Sequence, residues 1–237
     1  MAIRTIDESQ RKAARVVGFT YLFTNAAGSF AELYVRGHLI VFDNAADTAR
    51  NIMAHQLLFR LGIASDLICF AGDVVLVIAL YVLLKPINQS LALLAAFWRL
   101  VETSILVVIT LNDFDVLRVL SGAGYLHVFE ADRLQALARL SISAHGAGYN
   151  VGLMFFGLGS TVFCYLLFKS NYIPRALAAL GVFGSLLCAT CSFAFIILPN
   201  FANIAEPGYL LPIAVFEITT GLWLLIKGVR ASGVVEA

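Results

Sequence analysis

Apolar residues run almost unbroken through six stretches of the chain, parted by short polar connections. The stretches cover roughly 13–35, 61–84, 91–111, 147–168, 176–198 and 209–226. A run of about 18 or more apolar residues reads as a spanning helix, because ~20 residues cross a hydrocarbon core about 30 Å thick. The pattern therefore predicts an all-α fold. It would be a polytopic membrane helical bundle of about six transmembrane helices, a single integral membrane domain over residues 1–237.

Two connections carry their own helical signals. Residues 43–60, DNAADTARNIMAHQLLFR, open with Asp and Asn candidates for an N-cap and run helix-permissive into the second span. Residues 129–145, FEADRLQALARLSISAH, set Leu134, Leu137 and Leu140 at near-helical spacing with charges between. Both neighbouring spans are expected to extend outward, or to begin with an interfacial amphipathic segment. The break falls at SGAGY, residues 121–125. The polar start MAIRTIDESQRKAAR precedes a span too long for a signal-peptide core of about 7–15 residues, so the first helix is expected to be retained.

Composition agrees with this pattern. The chain is 60% hydrophobic and 13% charged, with mean hydropathy +0.88. Soluble domains carry about 45–50% apolar and about 25% charged residues. A net charge of +1 and the lack of a long basic tract argue against nucleic acid as a partner. Cys69, Cys164, Cys188 and Cys191 all lie in apolar runs, as packing residues rather than a disulfide or zinc framework.

Lys and Arg distribution sets the expected orientation. Nine of them (Arg4, Arg11, Lys12, Arg15, Lys85, Lys169, Arg175, Lys227 and Arg230) fall on the side of both termini. Five (Arg36, Arg50, Arg118, Arg133 and Arg139) are spread over the longer loops opposite. Both termini are predicted to be cytoplasmic. An ungapped likeness of LYVLLKPINQSLALLAA (80–96) to CYLLFKSNYIPRALAAL (164–180) suggests a parallel hairpin repeat of the second-third and fourth-fifth helices. Recurrent interfacial Tyr and Lys anchors would explain the same likeness without duplication.

The candidate chemistry lies in the polar groups of these spans. Glu32, Arg60, Asp66, Asp73, Arg99, Glu102 and Glu217 sit within them or at their ends. A central charge costs about 2.5–3.5 kcal/mol on insertion scales, so such groups face the protein interior or water. At helical spacing Asp66 and Asp73 lie within ~20° of each other, and His55 joins that stripe if the helix reaches so far. Asn25, Ser29 and Glu32 share a face of the first helix, and Arg99 meets Glu102 one turn along. Glu217 follows Pro212 by five residues, and His145 and Asn150 lie toward the outer end of the fourth helix. These side chains predict a polar cavity open toward the non-cytoplasmic side. Arg99 is the one cation placed at the middle of the membrane, against several acids. At least one acid there is expected to be protonated or otherwise paired.

The strings LYVRGHLIVFDNAADTARNIMAHQLLFRLGIASDL, LYVLLKPINQSLALLAAFWRLVE and FFGLGSTVFCYLLFKSNYIPRALAALG carry a resemblance. With Arg36, Phe59-Arg60 and the Arg99-to-Glu102 element, the chain resembles, over roughly residues 10–228, the bacterial membrane family called domain of unknown function 4386. The resemblance implies a multi-pass membrane protein and supplies no catalytic residues.

Three functions fit these residues. The first is binding or transport of a small solute or ion, with Arg99 holding an anionic group and Asp66, Asp73, Glu102 or Glu217 carrying protons or cations. Asn25, Glu32, Arg60 and Asn150 complete its ligand-binding candidates. Six helices are few for a transporter, so this reading favours a homodimer. The second is an intramembrane lipid-modifying, hydrolase-like enzyme with a metal on His55, His145, Asp66 and Glu32. A catalytic zinc needs about three protein ligands, and neither HExxH nor GxSxG is present, so metal is expected at neither histidine and no cofactor is predicted. The third is a structural or accessory protein whose charges fix helix register. In each case the partner is the lipid bilayer, in the inner (plasma) membrane of a bacterium.

Overall fold

Asp7 opens the first helix. Its side chain accepts from the Gln10 backbone N–H at 2.7 Å, and Gln10 Oε1 accepts from the Asp7 N–H at 3.1 Å, a reciprocal capping box. The computed structural model describes residues 6–198 and 208–230. Helix α1 (Glu8–Ser29) continues through a π-helical stretch, Phe30–Arg36, and a last turn, Gly37–Leu39. Then follow α2 (Ala45–Ala54), α3 (Gln56–Leu84), α4 (Gln89–Val119), α5 (Ala131–Ser170), α6 (Arg175–Ile197) and α7 (Leu211–Ile226). No strand occurs among the described residues. Asn44 caps α2 through the Asp47 N–H at 2.9 Å, and Asn88 caps α4 through the Leu91 N–H at 2.9 Å.

The all-α expectation holds, with seven helices among the described residues in place of about six. The added one is α2. The backbone leaves helical geometry at His55, with φ −127° and ψ 42°. That bend lets Ile52 of α2 enter one apolar cluster with Phe59 and Ile63 of α3, Val116 of α4 and Ile142 of α5. Helix α4 also outruns its expected end, because Asp113 and Asp115 interrupt the apolar pattern without interrupting the helix. Helix α5 absorbs the whole 131–145 segment, and the connection around residues 120–130 is broken as expected.

Helices α3, α4, α5 and α6 are long and apolar enough to cross a membrane. Helix α1 falls short by composition and α7, at 16 residues, by length. Helices α1, α3, α4, α5, α6 and α7 form a ring in which each packs on the next and α7 returns to α1. Glycines set the closest crossings. A methyl group on Gly18 would stand 2.9 Å from the Gly221 carbonyl oxygen, so α1 and α7 touch backbone to backbone. Gly157 meets Ala189 N at 2.6 Å and Ser185 O at 2.7 Å in the same sense, joining α5 to α6.

One end of the ring, at the α3–α4 and α5–α6 turns, is filled by Leu83, Leu84, Leu166, Leu167, Tyr172 and Ile173. Gln10 spans this plug, donating through Nε2 to the Tyr172 hydroxyl at 2.8 Å. Both turns have the expected hairpin form. Their helix ends fall two residues out of step with the aligned lysines, since Lys85 lies just past α3 while Lys169 is still within α5. The outer faces are apolar, with Phe19, Ile78, Val108, Phe183 and Ile197 exposed. Charge inside and hydrocarbon outside reverses the order of a soluble bundle, as expected of a membrane protein.

Candidate functional site

Gly159 of α5 has no side chain to hold α4 away. A Cβ there would lie 2.7 Å from Arg99 Cγ and 3.0 Å from Ala95 O, so the Arg99 stem runs through the crossing. Its guanidinium emerges over the Phe156 ring, 4.3 Å from the centroid. There Nη2 lies 3.4 Å from Asp73 Oδ1 and Nη1 lies 3.3 Å from Glu102 Oε2. The Arg99–Glu102 pair is close enough to attract but lacks the alignment of a hydrogen bond, and both atoms remain buried without one. Helix α7 brings Glu217 into the same group. The Gly18–Gly221 crossing lies one turn beyond it and holds Glu217 Oε2 where Asn25 Nδ2 donates at 2.9 Å.

A second group lies farther along the ring. Gly62 of α3 admits Val35 against its backbone, which sets the π-helical turn of α1 beside Asp66. From that turn Arg36 donates to three carboxylates, Glu32 at 3.0 Å, Asp66 at 2.6 Å and Asp113 at 2.7 Å. His145 Nδ1 stands 3.2 Å from Asp113 Oδ2. Asp66 and Asp73, two turns apart on α3 and therefore about 10 Å along its axis, connect the two groups.

Between them lies a cavity of about 330 Å³. Its wall includes Asn25, Ser29 and Glu32 of α1, Asp66 and Asp73 of α3, Arg99 and Glu102 of α4, His145 of α5 and Glu217 of α7. Phe70, Leu106, Tyr149, Leu153 and Phe156 supply its apolar surface. Ser29 and Leu33 are the exposed members on α1, which places the rim on that side among the described residues.

Eight of the expected candidates thus meet at one cavity: Asn25, Glu32, Asp66, Asp73, Arg99, Glu102, Glu217 and His145. Three do not line it. Arg60 is exposed, because six residues before Asp66 is about 120° round the helix. Asn150 follows His145 by five residues and points about 140° away, while Tyr149, one turn on, faces inward. His55 is exposed at the α2–α3 bend, so the proposed metal set loses its first histidine. No group of three His, Cys, Asp or Glu side chains converges as metal ligands among the described residues.

Two residues of the site, Arg36 and Asp113, lie outside the expected spans' polar candidates. By its place in the sequence Arg36 falls among the loop cations, although its i, i+4 relation to Glu32 marks a helical ion pair. Asp113 lay beyond the expected end of its span, although eleven residues after Glu102 is only about 20° round the helix. The four cysteines are free and buried.

A family described as "Domain of unknown function (DUF4386)" matches residues 16–228. An "Uncharacterized protein" of Archaeoglobus fulgidus is 25% identical over 168 residues, covering 69% of this chain and 82% of that protein. No solved structure matches the chain.

Proposed function

The chain belongs to the DUF4386 family, whose description assigns no activity, and we propose that it is a multi-pass membrane protein that binds a small solute or ion in the cavity among α1, α3, α4, α5 and α7. Binding there serves transport across the membrane, with the Lys-rich turns and both termini on the cytoplasmic side of a bacterial inner membrane.

One observation carries this reading: five helices each turn an ionisable side chain into the same cavity of about 330 Å³. Ligand pockets occupy about 300–1,000 Å³ and combine apolar walls with a few convergent polar groups. A register clamp needs no such space, and it would leave its charges matched. Here Glu217 takes only an amide hydrogen bond, and Glu102 Oε2 has none. The plug around Gln10 and Tyr172 closes the opposite end, as a binding site with one-sided access requires.

An experimental map of protein purified in native lipid tests this directly. Density larger than a water is expected in the cavity beside Arg99 and Glu217. A collapsed, dry cavity with every charge paired would remove the binding reading and favour the clamp.

A further inference from the structure

The charge balance of this cavity selects a ligand class, an inference that rests on the cavity being a binding site. Six carboxylates, Glu32, Asp66, Asp73, Glu102, Asp113 and Glu217, line or flank it against two guanidiniums, Arg36 and Arg99. Counted formally, carboxylates against guanidiniums, the excess is four negative charges. Both guanidiniums face carboxylates, although Arg99 Nη1, 3.3 Å from Glu102 Oε2, makes no hydrogen bond. Arg36 donates to three carboxylates, and Arg99 lies between Asp73 and Glu102 with one face on Phe156. An entering anion would have to compete with these carboxylates for either guanidinium and would add to the excess.

Acceptors, by contrast, are in surplus. Glu102 Oε2 is buried, belongs to a side chain only 3% exposed, and accepts no hydrogen bond. Glu217 has no ion pair among the described residues. A buried carboxylate oxygen left without a donor costs about 1–3 kcal/mol or more, which a donor-bearing ligand would relieve. The remaining wall, Phe70, Leu106, Tyr149 and Leu153, is apolar and partly aromatic, a surface that suits a carbon body and attracts a cation to its ring faces. A bare metal ion fits less well, since it would need several converging oxygen ligands.

We propose that the cavity takes a small organic ammonium ion, its N–H groups donating to Glu217 and Glu102 and its carbon body lying along Phe70 and Tyr149. A primary ammonium carries three donors, the complement these acceptors lack.

The test uses the full chain in lipid nanodiscs and three probes of matched shape: benzylammonium, benzoate and benzyl alcohol. Calorimetric titration at neutral pH is expected to show saturable binding of benzylammonium alone. Glu217→Gln keeps the Asn25 hydrogen bond and is expected to weaken that binding about tenfold or more, the loss of one charge-assisted contact. Glu102→Gln provides a second reading should the first variant fold poorly. Binding of benzoate or benzyl alcohol in place of the amine would overturn the ammonium assignment while leaving the cavity a ligand site. No binding of any probe to folded protein would overturn both. Unchanged amine affinity in the folded variants would overturn the placement at these carboxylates.

Discussion

Arg36 and Arg99 look alike in the sequence, yet their surroundings give them different weights. Arg36 is the hub of its group, with its guanidinium holding Asp66 and Asp113, whose side chains are 7% and 3% exposed. Removing one partner of a buried pair leaves an uncompensated charge and costs about 3–5 kcal/mol. Arg36→Leu is therefore expected to lower the unfolding midpoint severely in thermal or denaturant melts. Glu32→Gln, at a side chain 39% exposed, is expected to cost under about 1 kcal/mol. The same logic redefines the test of Arg99 and Glu102. Replacing both by Leu would strand Asp73, so the neutral swap is the triple variant Asp73→Leu, Arg99→Leu, Glu102→Leu. That variant is expected to melt near the wild type, since well-packed apolar replacements of buried ion groups are often neutral or stabilising. It is also expected to lose the ligand; retained ligand binding would move the site elsewhere.

At the scale of the element, glycines decide which helices can approach. Gly157 and Gly146 lie on the same helix, α5, in opposite circumstances. A methyl on Gly157 would press on the α6 backbone at Ala189 and Ser185, whereas one on Gly146 meets nothing within 4 Å. Gly157→Ala is expected to destabilise by about 1–3 kcal/mol through overpacking. Gly146→Ala is expected to be neutral or to stabilise by up to about 1 kcal/mol, because the unfolded chain loses freedom and the helix does not. Paired melts of the two variants check this, and equal effects would contradict the crossing described here. Element ends were the least legible feature of the sequence. Polar residues such as Asp113 ended the apolar run eight residues before the helix ended, because a helix needs only backbone hydrogen bonds and a buried partner for the charge.

For the whole molecule, the proposed orientation makes the two ends chemically distinct. In a background with the native cysteines replaced, Glu32→Cys is expected to react with an impermeant maleimide added outside intact cells or right-side-out vesicles. Lys85→Cys, at the exposed α3–α4 turn, is expected to react only after vesicle inversion. The reverse pattern would invert the assignment of sides. The helical class, the apolar runs and the face shared by Asp66 and Asp73 were all readable along the chain, since hydrophobic content and helical periodicity are local properties. So was the pairing of Arg99 with Glu102, one turn apart. The partners of Arg36 lie 30 and 77 residues away, and Asn25 reaches Glu217 across 192. No periodicity encodes such distances. They follow from how the ring closes at Gly18, Gly62, Gly159 and Gly221, where missing side chains let backbones approach and carry specific charges into one space. That closure turns a scatter of costly polar residues into a cavity with more acceptors than donors.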